Sequence, residues 1–245
     1  MSFLINPYIH SLGGVSYDMP PIETNLQLYF NPDVYVYSDY GSTLANHGDN
    51  IVQQNDLSGN GNNITQSTGG LQPLYDTSTL GGGNASIHRS ATKILNLDST
   101  VSLTNSESFT VYAVYKRVSG TAWNSAIGGA TNESAVNLRS GYSQIYDTTG
   151  YSRFVTDQAY TTNLEVRAWV IDRTAVTFSA YLNNSFVAST GLSRFAGMDF
   201  TSLYGQGTDT GLDIHFGIVL LYDSAHDSSD VSTIKTWLNS KYSIY

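Results

Sequence analysis

Hydrophobic and polar positions alternate in short runs along most of the chain. Residues 108 to 118, SFTVYAVYKRV, put Phe109, Val111, Ala113 and Tyr115 on one side and Thr110, Tyr112, Val114 and Lys116 on the other, the two-residue period of a strand. The same alternation runs through EVRAWVID (165–172) and through 176–182, where Val176, Phe178, Ala180 and Leu182 interleave with Thr177, Ser179 and Tyr181. Asn183-Asn184 follow at the place where a two-residue hairpin loop needs tolerance of positive φ. LQLYF and VYVY are shorter runs separated by the turn signal Asn31-Pro32-Asp33. DIHFGIVLLYD (213–223) is apolar on both faces after His215 and predicts a central strand covered from both sides. Only beyond it does the period change. Val231, Ile234, Trp237, Leu238 and Tyr242 fall at helical spacing, with Ser228 or Ser229 to cap the first turn and Asp230 at the positive end of the dipole.

This pattern predicts an all-β sandwich closed by one amphipathic helix. The 245 residues suit a single large β domain, and 18 Tyr and 22 Gly agree with many strands and turns. Residues 1–24 read as an extended N-terminal arm for attachment, since Pro20-Pro21 denies a helix, and residues 25–245 as the domain. The net charge is −9, and the first 88 residues hold seven acids with no Lys or Arg. Such a surface repels phosphate backbones and anionic lipid, so neither nucleic acid nor membrane is an expected partner. Cysteine is absent, which removes thiolate metal sites and cysteine nucleophiles. The first residues carry no basic stretch before their apolar patch, so a secretory signal is not expected.

Catalytic patterns are missing. The four glutamates, Glu23, Glu107, Glu133 and Glu165, have no acid two residues away, unlike a strand built for glycoside hydrolysis. There is no G-x-S-x-G elbow and no H-E-x-x-H pair. His215 is expected as a hydrogen-bonded core histidine and His226 as a solvated one. In NDLSGNGNNITQ (55–66), Asp56, Ser58, Asn60 and Asn62 stand at alternate positions with Gly61 sixth, as in the first half of a calcium loop. Ser67 occupies the twelfth position, where such a loop has its closing Glu, so a tight turn is the alternative. Sugar-binding surfaces stack exposed aromatic rings on sugar faces. Trp123, in a Gly/Ser/Asn-rich region, is the candidate for that role, with a place in the core as its alternative.

The ordered series LQLYFNPDVYVYSD, IVQQNDLSGNGNNITQ, QPLYD, SFTVYAVYKR, AVTFSAYLNNSFVAST and IHFGIVLLYDSAHDSSDVSTIKTWLNSKY resembles concanavalin A-like (laminin-G-like) jelly-roll domains over about residues 26 to 242. Asp56, Ser58, Gly59, Asn60, Gly61, Asn62, Gln66, Pro73 and Tyr75 match, while Gln54 or Asn55 stands where the family often has Trp. The resemblance implies a jelly-roll sandwich in which the 56–62 stretch is a fold-marking turn, with ion binding an optional extra. The leader MSFLINPY is similar to those of tailed-phage particle proteins. From that analogy we expect a non-enzymatic virion surface protein, made in the host cytoplasm. It would be a capsid decoration or cement protein, or a tail or fibre component. Its expected partners are capsid or tail proteins, reached through the arm, and further copies of itself. Host surface glycans are a possible additional partner, and no cofactor is required, calcium being the optional one. The alternative functions are a free carbohydrate-binding lectin module and, further off, a glycoside hydrolase.

Overall fold

Asp213–Tyr222 is the hub of the molecule. Its alternating residues Ile214, Phe216, Val219 and Leu221 enter one hydrophobic cluster, and Ile218, Leu220 and Tyr222 enter another on the opposite face. The computed structural model describes residues 9–12, 15–90, 92–119, 124–129, 134–139, 142–156, 161–205 and 213–245.

Eight strands form the sheet around this hub. Ser185–Gly191, Thr177–Leu182, Leu164–Asp172, Phe109–Ser119 and Asp213–Tyr222 lie in that order, and Ser86–Ser90 followed by Leu74–Asp76 continue beyond the hub. Leu26–Phe30 pairs with the other half of the hub's free edge. A second sheet of nine strands runs from Ser152–Thr156 through Tyr142–Tyr146, Ala135–Arg139, Asn124–Gly128, Met198–Leu203 and Leu95–Leu103 to Ile64–Thr65, Gln53–Gln54 and Val36–Tyr37. Every described pairing is antiparallel. The inner faces meet over Phe109, Val111, Trp169, Ile171, Phe178 and Phe216 from the first sheet and Leu95, Ile127, Val136, Met198 and Phe200 from the second. The architecture is an all-β, jelly-roll-like sandwich with one C-terminal helix, as the residue periodicity predicts.

The helix, Ser228–Tyr242, lies on the outer face of the eight-stranded sheet. Val231, Ile234, Leu238 and Tyr242 pack on Tyr112, Val114, Val166, Ala168, Ile218 and Tyr222. Its N-cap is Asp227, one residue before the expected serines, because its carboxylate accepts the N–H groups of both Ser229 and Asp230. His226, expected in solvent, is buried. Its N–H donates to Thr110 Oγ1 at 2.9 Å and its Nδ1 meets the Tyr112 hydroxyl at 2.7 Å, so the turn into the helix is fastened to the sheet. At the other end, the hub's register slips opposite Ala113 and Tyr115. The N–H of Ile218, next to that irregularity, donates to the Tyr242 hydroxyl at 3.1 Å. Gly217 is needed there, because a Cβ would stand 2.8 Å from that hydroxyl.

Residues 17–24, expected within an extended arm, lie on this same outer layer. Tyr17 and Met19 are buried in the helix-side cluster, the Tyr29 hydroxyl donates to the Asp18 carbonyl at 2.7 Å, and the Tyr222 hydroxyl donates to that of Ile22 at 2.9 Å. Lys241 pairs with Asp18 at 2.9 Å. Ile9–Leu12 and Val15–Asp18 form an antiparallel hairpin that joins neither large sheet. Residues 1–8 lie outside the described residues.

Candidate functional site

The 177–191 hairpin turns at Asn183-Asn184, with Asn183 at φ 50°. The preceding strand alternates as predicted from Phe178 onward. Val176 instead sits in the turn before it at φ 56°, exposed. Between Ala180 and Tyr181 the register shifts, which places Phe186 directly opposite Tyr181. The two rings meet edge to face, 5.3 Å apart at 70°. Tyr181 therefore backs a Phe186 ring that is 57% exposed. A large aromatic left in water beside a concave surface is the informative exception to burial.

Concave surfaces lie on both sides of that ring. On the hairpin side, Phe186 and Asn184 join Thr156, Asn183 and Ser185 around a groove of about 400 Å³. On the helix side, Tyr181, Asn184 and Phe186 face the helix across a groove of about 260 Å³, where the helix contributes Ser228, Ser232, Lys235 and Thr236. These four recur at three- and four-residue spacing and so share a face. Beyond the helix the chain reverses at Ser243, φ 50°, and Asn239 Oδ1 accepts the N–H groups of Ile244 and Tyr245. That turn brings Tyr245 into the wall of the groove, its hydroxyl donating to the Lys235 carbonyl at 3.3 Å.

Lys235 lies at the back of this groove, only 3% exposed, its ammonium 5.2 Å from the Tyr181 ring centroid. Burial alone pushes its pKa down to about 8. Burial, with Asp227 adding to it, raises the Tyr181 phenol, and burial raises that of Tyr245, so both rings are neutral donors at physiological pH. The site thus offers stacking rings, amides, hydroxyls and one cation. Among the described residues no Asp or Glu side chain lines it.

The 56–62 loop is organised differently. Asp56 Oδ1 accepts the N–H groups of Tyr29 and Ser58, each at 3.0 Å, and Oδ2 accepts from Asn62 N–H at 3.1 Å and stands 2.8 Å from the Ser58 hydroxyl. Asn60 donates its amide to the carbonyls of Leu26 and Gln27, at 2.9 and 3.1 Å. Gly59 and Gly61 both take positive φ, which lets the backbone fold around the carboxylate. The carboxylate is turned inward, and the loop is stitched to the first strand of the domain. Among the described residues no group of three or more His, Asp or Glu converges as a metal cluster. Trp123 and Glu133 lie outside the described residues.

Two further polar clusters are internal. His215 is buried as expected, its Nδ1 2.9 Å from Ser86 Oγ, and the sheet register stacks it on His88 at 4.3 Å, with His88 bonded to Asp213. Nothing in sequence spacing links positions 88 and 215. Between the sheets, Glu165 accepts from the Tyr115 hydroxyl and from Thr161 Oγ1, while Arg167 donates to Ser143 Oγ at 3.0 Å.

No protein-family model matches the sequence, and no curated protein does. Solved structures with the same fold do exist. The binding domain of Paraclostridial Mosquitocidal Protein 1 aligns with a TM-score of 0.61 at 15% identity, over 88% of this chain and 53% of that one. The receptor binding domain of botulinum neurotoxin D gives 0.62 at 12% identity, over 88% and 53%. The botulinum neurotoxin serotype D ligand binding domain in complex with N-acetylneuraminic acid gives 0.59 at 11%, over 88% and 52%. The chain thus spans about half the length of these domains, and at such identity the likeness is one of fold. None of Phe186, Tyr181, Tyr245 and Lys235 is singled out as a binding residue by the sequence motifs above. A single cue was legible: Lys235 is a charged residue on the helical face that Val231, Ile234 and Leu238 bury.

Proposed function

We propose that the protein is a carbohydrate-binding module whose ligand seats against Phe186. The observation that carries this reading is the exposed Phe186 ring, backed by Tyr181 and standing between two grooves rich in amides and hydroxyls. An aromatic face takes the C–H side of a pyranose, and Asn184, Ser228, Ser232 and Thr236 supply the donors and acceptors that fix its hydroxyls. Binding rather than catalysis is supported by the lack of an Asp or Glu side chain among the described residues that line the two grooves, since glycoside hydrolysis needs two. The fold shared with toxin binding domains, one of them holding N-acetylneuraminic acid, adds support of a general kind. A calcium ion is not required in this reading, because the Asp56 oxygens are already engaged by four donors.

The test is a glycan panel followed by titration of the best sugar against Phe186→Ala. Affinity should fall tenfold or more, as expected for a central aromatic anchor, with no response to EDTA. A panel without a single hit, or a hit indifferent to Phe186, overturns the reading.

A second reading, display on a virion surface, is favoured by the 9–18 hairpin. It pairs with neither sheet, although its second strand is held to the domain through Tyr17 and Asp18. Removing residues 1–16 should then abolish incorporation into particles while the domain keeps its fold. Retained incorporation defeats it.

A further inference from the structure

We propose that the ligand is a chain of sugars that runs from Phe186 over the helix to a second aromatic subsite at Trp237; this rests on the glycan reading of the groove beside Phe186. A further groove, of about 420 Å³, lies on the other flank of the helix, between it and the 17–24 segment. Met19, Pro21, Thr233 and Trp237 line it, together with Ser232 and Thr236. The last two also line the Phe186 groove, so the two depressions meet along one crest. Successive helical residues turn by about 100°. Lys235 therefore faces Phe186, Thr236 stands on the crest, and Trp237 faces the second groove.

Trp237 is half-buried and held in place. Tyr29 meets its ring edge to face, 6.2 Å away at 68°, and the Lys241 ammonium, fixed by Asp18, lies 5.2 Å from it. Among the described residues its indole N–H has no acceptor, and it is not sealed from water, so it can donate to a ligand. The crest between the two rings is made of hydroxyls. The exposed positions of the helix are Ser228, Ser229, Ser232, Thr233, Thr236 and Ser240. A helix face that only meets water is better served by Lys, Glu or Gln, which favour the helix more. Ser240 returns its hydroxyl to the Trp237 carbonyl at 2.7 Å, while those of Ser232 and Thr236 bond to no other described residue.

A chain of pyranoses fits this surface because each unit repeats an apolar face and a rim of hydroxyls. The rings take two of the faces, and Ser232 and Thr236 meet the hydroxyls between them. A helix with its side chains is about 10–12 Å across, which is more than one pyranose spans. An apolar peptide, another usual guest of a groove, would desolvate the crest hydroxyls without bonding them. The competing explanation is a solvated helix beside a gap left by the docking of residues 17–24; that arrangement gives no dependence on the length of a sugar chain.

The experiment titrates cello-, xylo- and chito-oligosaccharides of one to six units, and the best sugar of the panel in the same lengths. Binding is read by calorimetry and by the NMR signals of the tryptophan indole N–H groups. Within the binding series, affinity should rise roughly tenfold from monosaccharide to tetrasaccharide and then level off. The Trp237 indole signal, assigned with Trp237→Phe, should shift with the longer chains and stay still with the monosaccharide. Trp237→Ala should remove the gain with length and leave the monosaccharide within about twofold of its original affinity. Because that ring also packs on Tyr29, a second variant spares the core. Thr233 is exposed and lies outside the Phe186 groove, so Thr233→Arg obstructs the second groove alone and should cut the gain roughly threefold or more. Phe186→Ala should weaken every length.

Equal affinity at every length, with dependence on Phe186, overturns the chain proposal and leaves the glycan reading standing. A gain with length that survives in either folded variant, or an indole signal that never moves, overturns it as well. Failure of every sugar to bind removes both.

Discussion

The 56–62 loop and the groove beside Phe186 are built from the same materials, amides, hydroxyls and one charged group, and they use them in opposite directions. In the loop, each oxygen of the Asp56 carboxylate has donors from the surrounding backbone and from Ser58. In the groove, the Phe186 ring is left 57% exposed, and the Lys235 ammonium faces the Tyr181 ring. A charged group whose bonds are all made inside the chain holds the chain together. A ring left in water beside a groove is available to something else. The difference separates a polar motif that specifies the fold from a polar site that meets a ligand, although both look equally chemical in the sequence.

Substitutions can break that contrast. Asp56→Ala strands buried donors of Tyr29, Ser58 and Asn62 together, so chemical denaturation should show a loss of roughly 2–4 kcal/mol. A loss under about 0.5 kcal/mol would mean the loop is not structural. The histidine stack is a second internally satisfied cluster, and it should be sensitive to acid. Burial first, and then the neighbouring His88, lower the His215 pKa to about 4. Its unfolded value is about 6.5. The folded state thus binds fewer protons between those values. The stabilising contribution is complete above about pH 6.5, is lost progressively on the way down to about pH 4, and amounts to something on the order of 3 kcal/mol. His215→Gln should flatten that part of the stability profile. Asp227→Ala removes a helix cap and should cost about 1 kcal/mol in the same denaturation assay.

The groove should behave in the opposite way. Lys235→Met, which keeps the buried stem and replaces the ammonium with an apolar end of similar length, should leave stability unchanged within roughly 1 kcal/mol. Phe186→Ala should change the melting midpoint least of all, by the equivalent of about 0.5 kcal/mol or less, while abolishing most sugar binding. A large stability loss in either variant would erase the distinction drawn between loop and groove.

Much of the framework was legible in the residues because periodicity reports local burial. The double-sided strand at 213–222, the Asn183-Asn184 turn and the closing helix all follow from spacing alone. Where the reading slipped, a tertiary partner decided. His226 is buried because Thr110 and Tyr112 from a distant strand accept it. The cap moves to Asp227 because its charged carboxylate oxygen accepts the N–H groups of both Ser229 and Asp230 at the positive end of the helix dipole. Residues 17–24 lie against the domain because Tyr29, Tyr222 and Lys241 hold them there. The site was not legible. It depends on a one-residue register shift beside Tyr181 and on the docking of a helix more than forty residues further along, and neither leaves a motif.

The position of the Asp213–Tyr222 strand has a consequence for biosynthesis. It joins Phe109–Ser119, Ser86–Ser90 and Leu26–Phe30, all of which leave the ribosome before it. At usual elongation rates roughly ten to forty seconds separate the emergence of Phe30 from that of Asp213. During that interval the nascent chain carries unpaired, apolar strand edges with no neighbour to cover them. The half-made protein is therefore a substrate for chaperones, and its yield will depend on their supply and on growth temperature more than the stability of the finished domain would suggest.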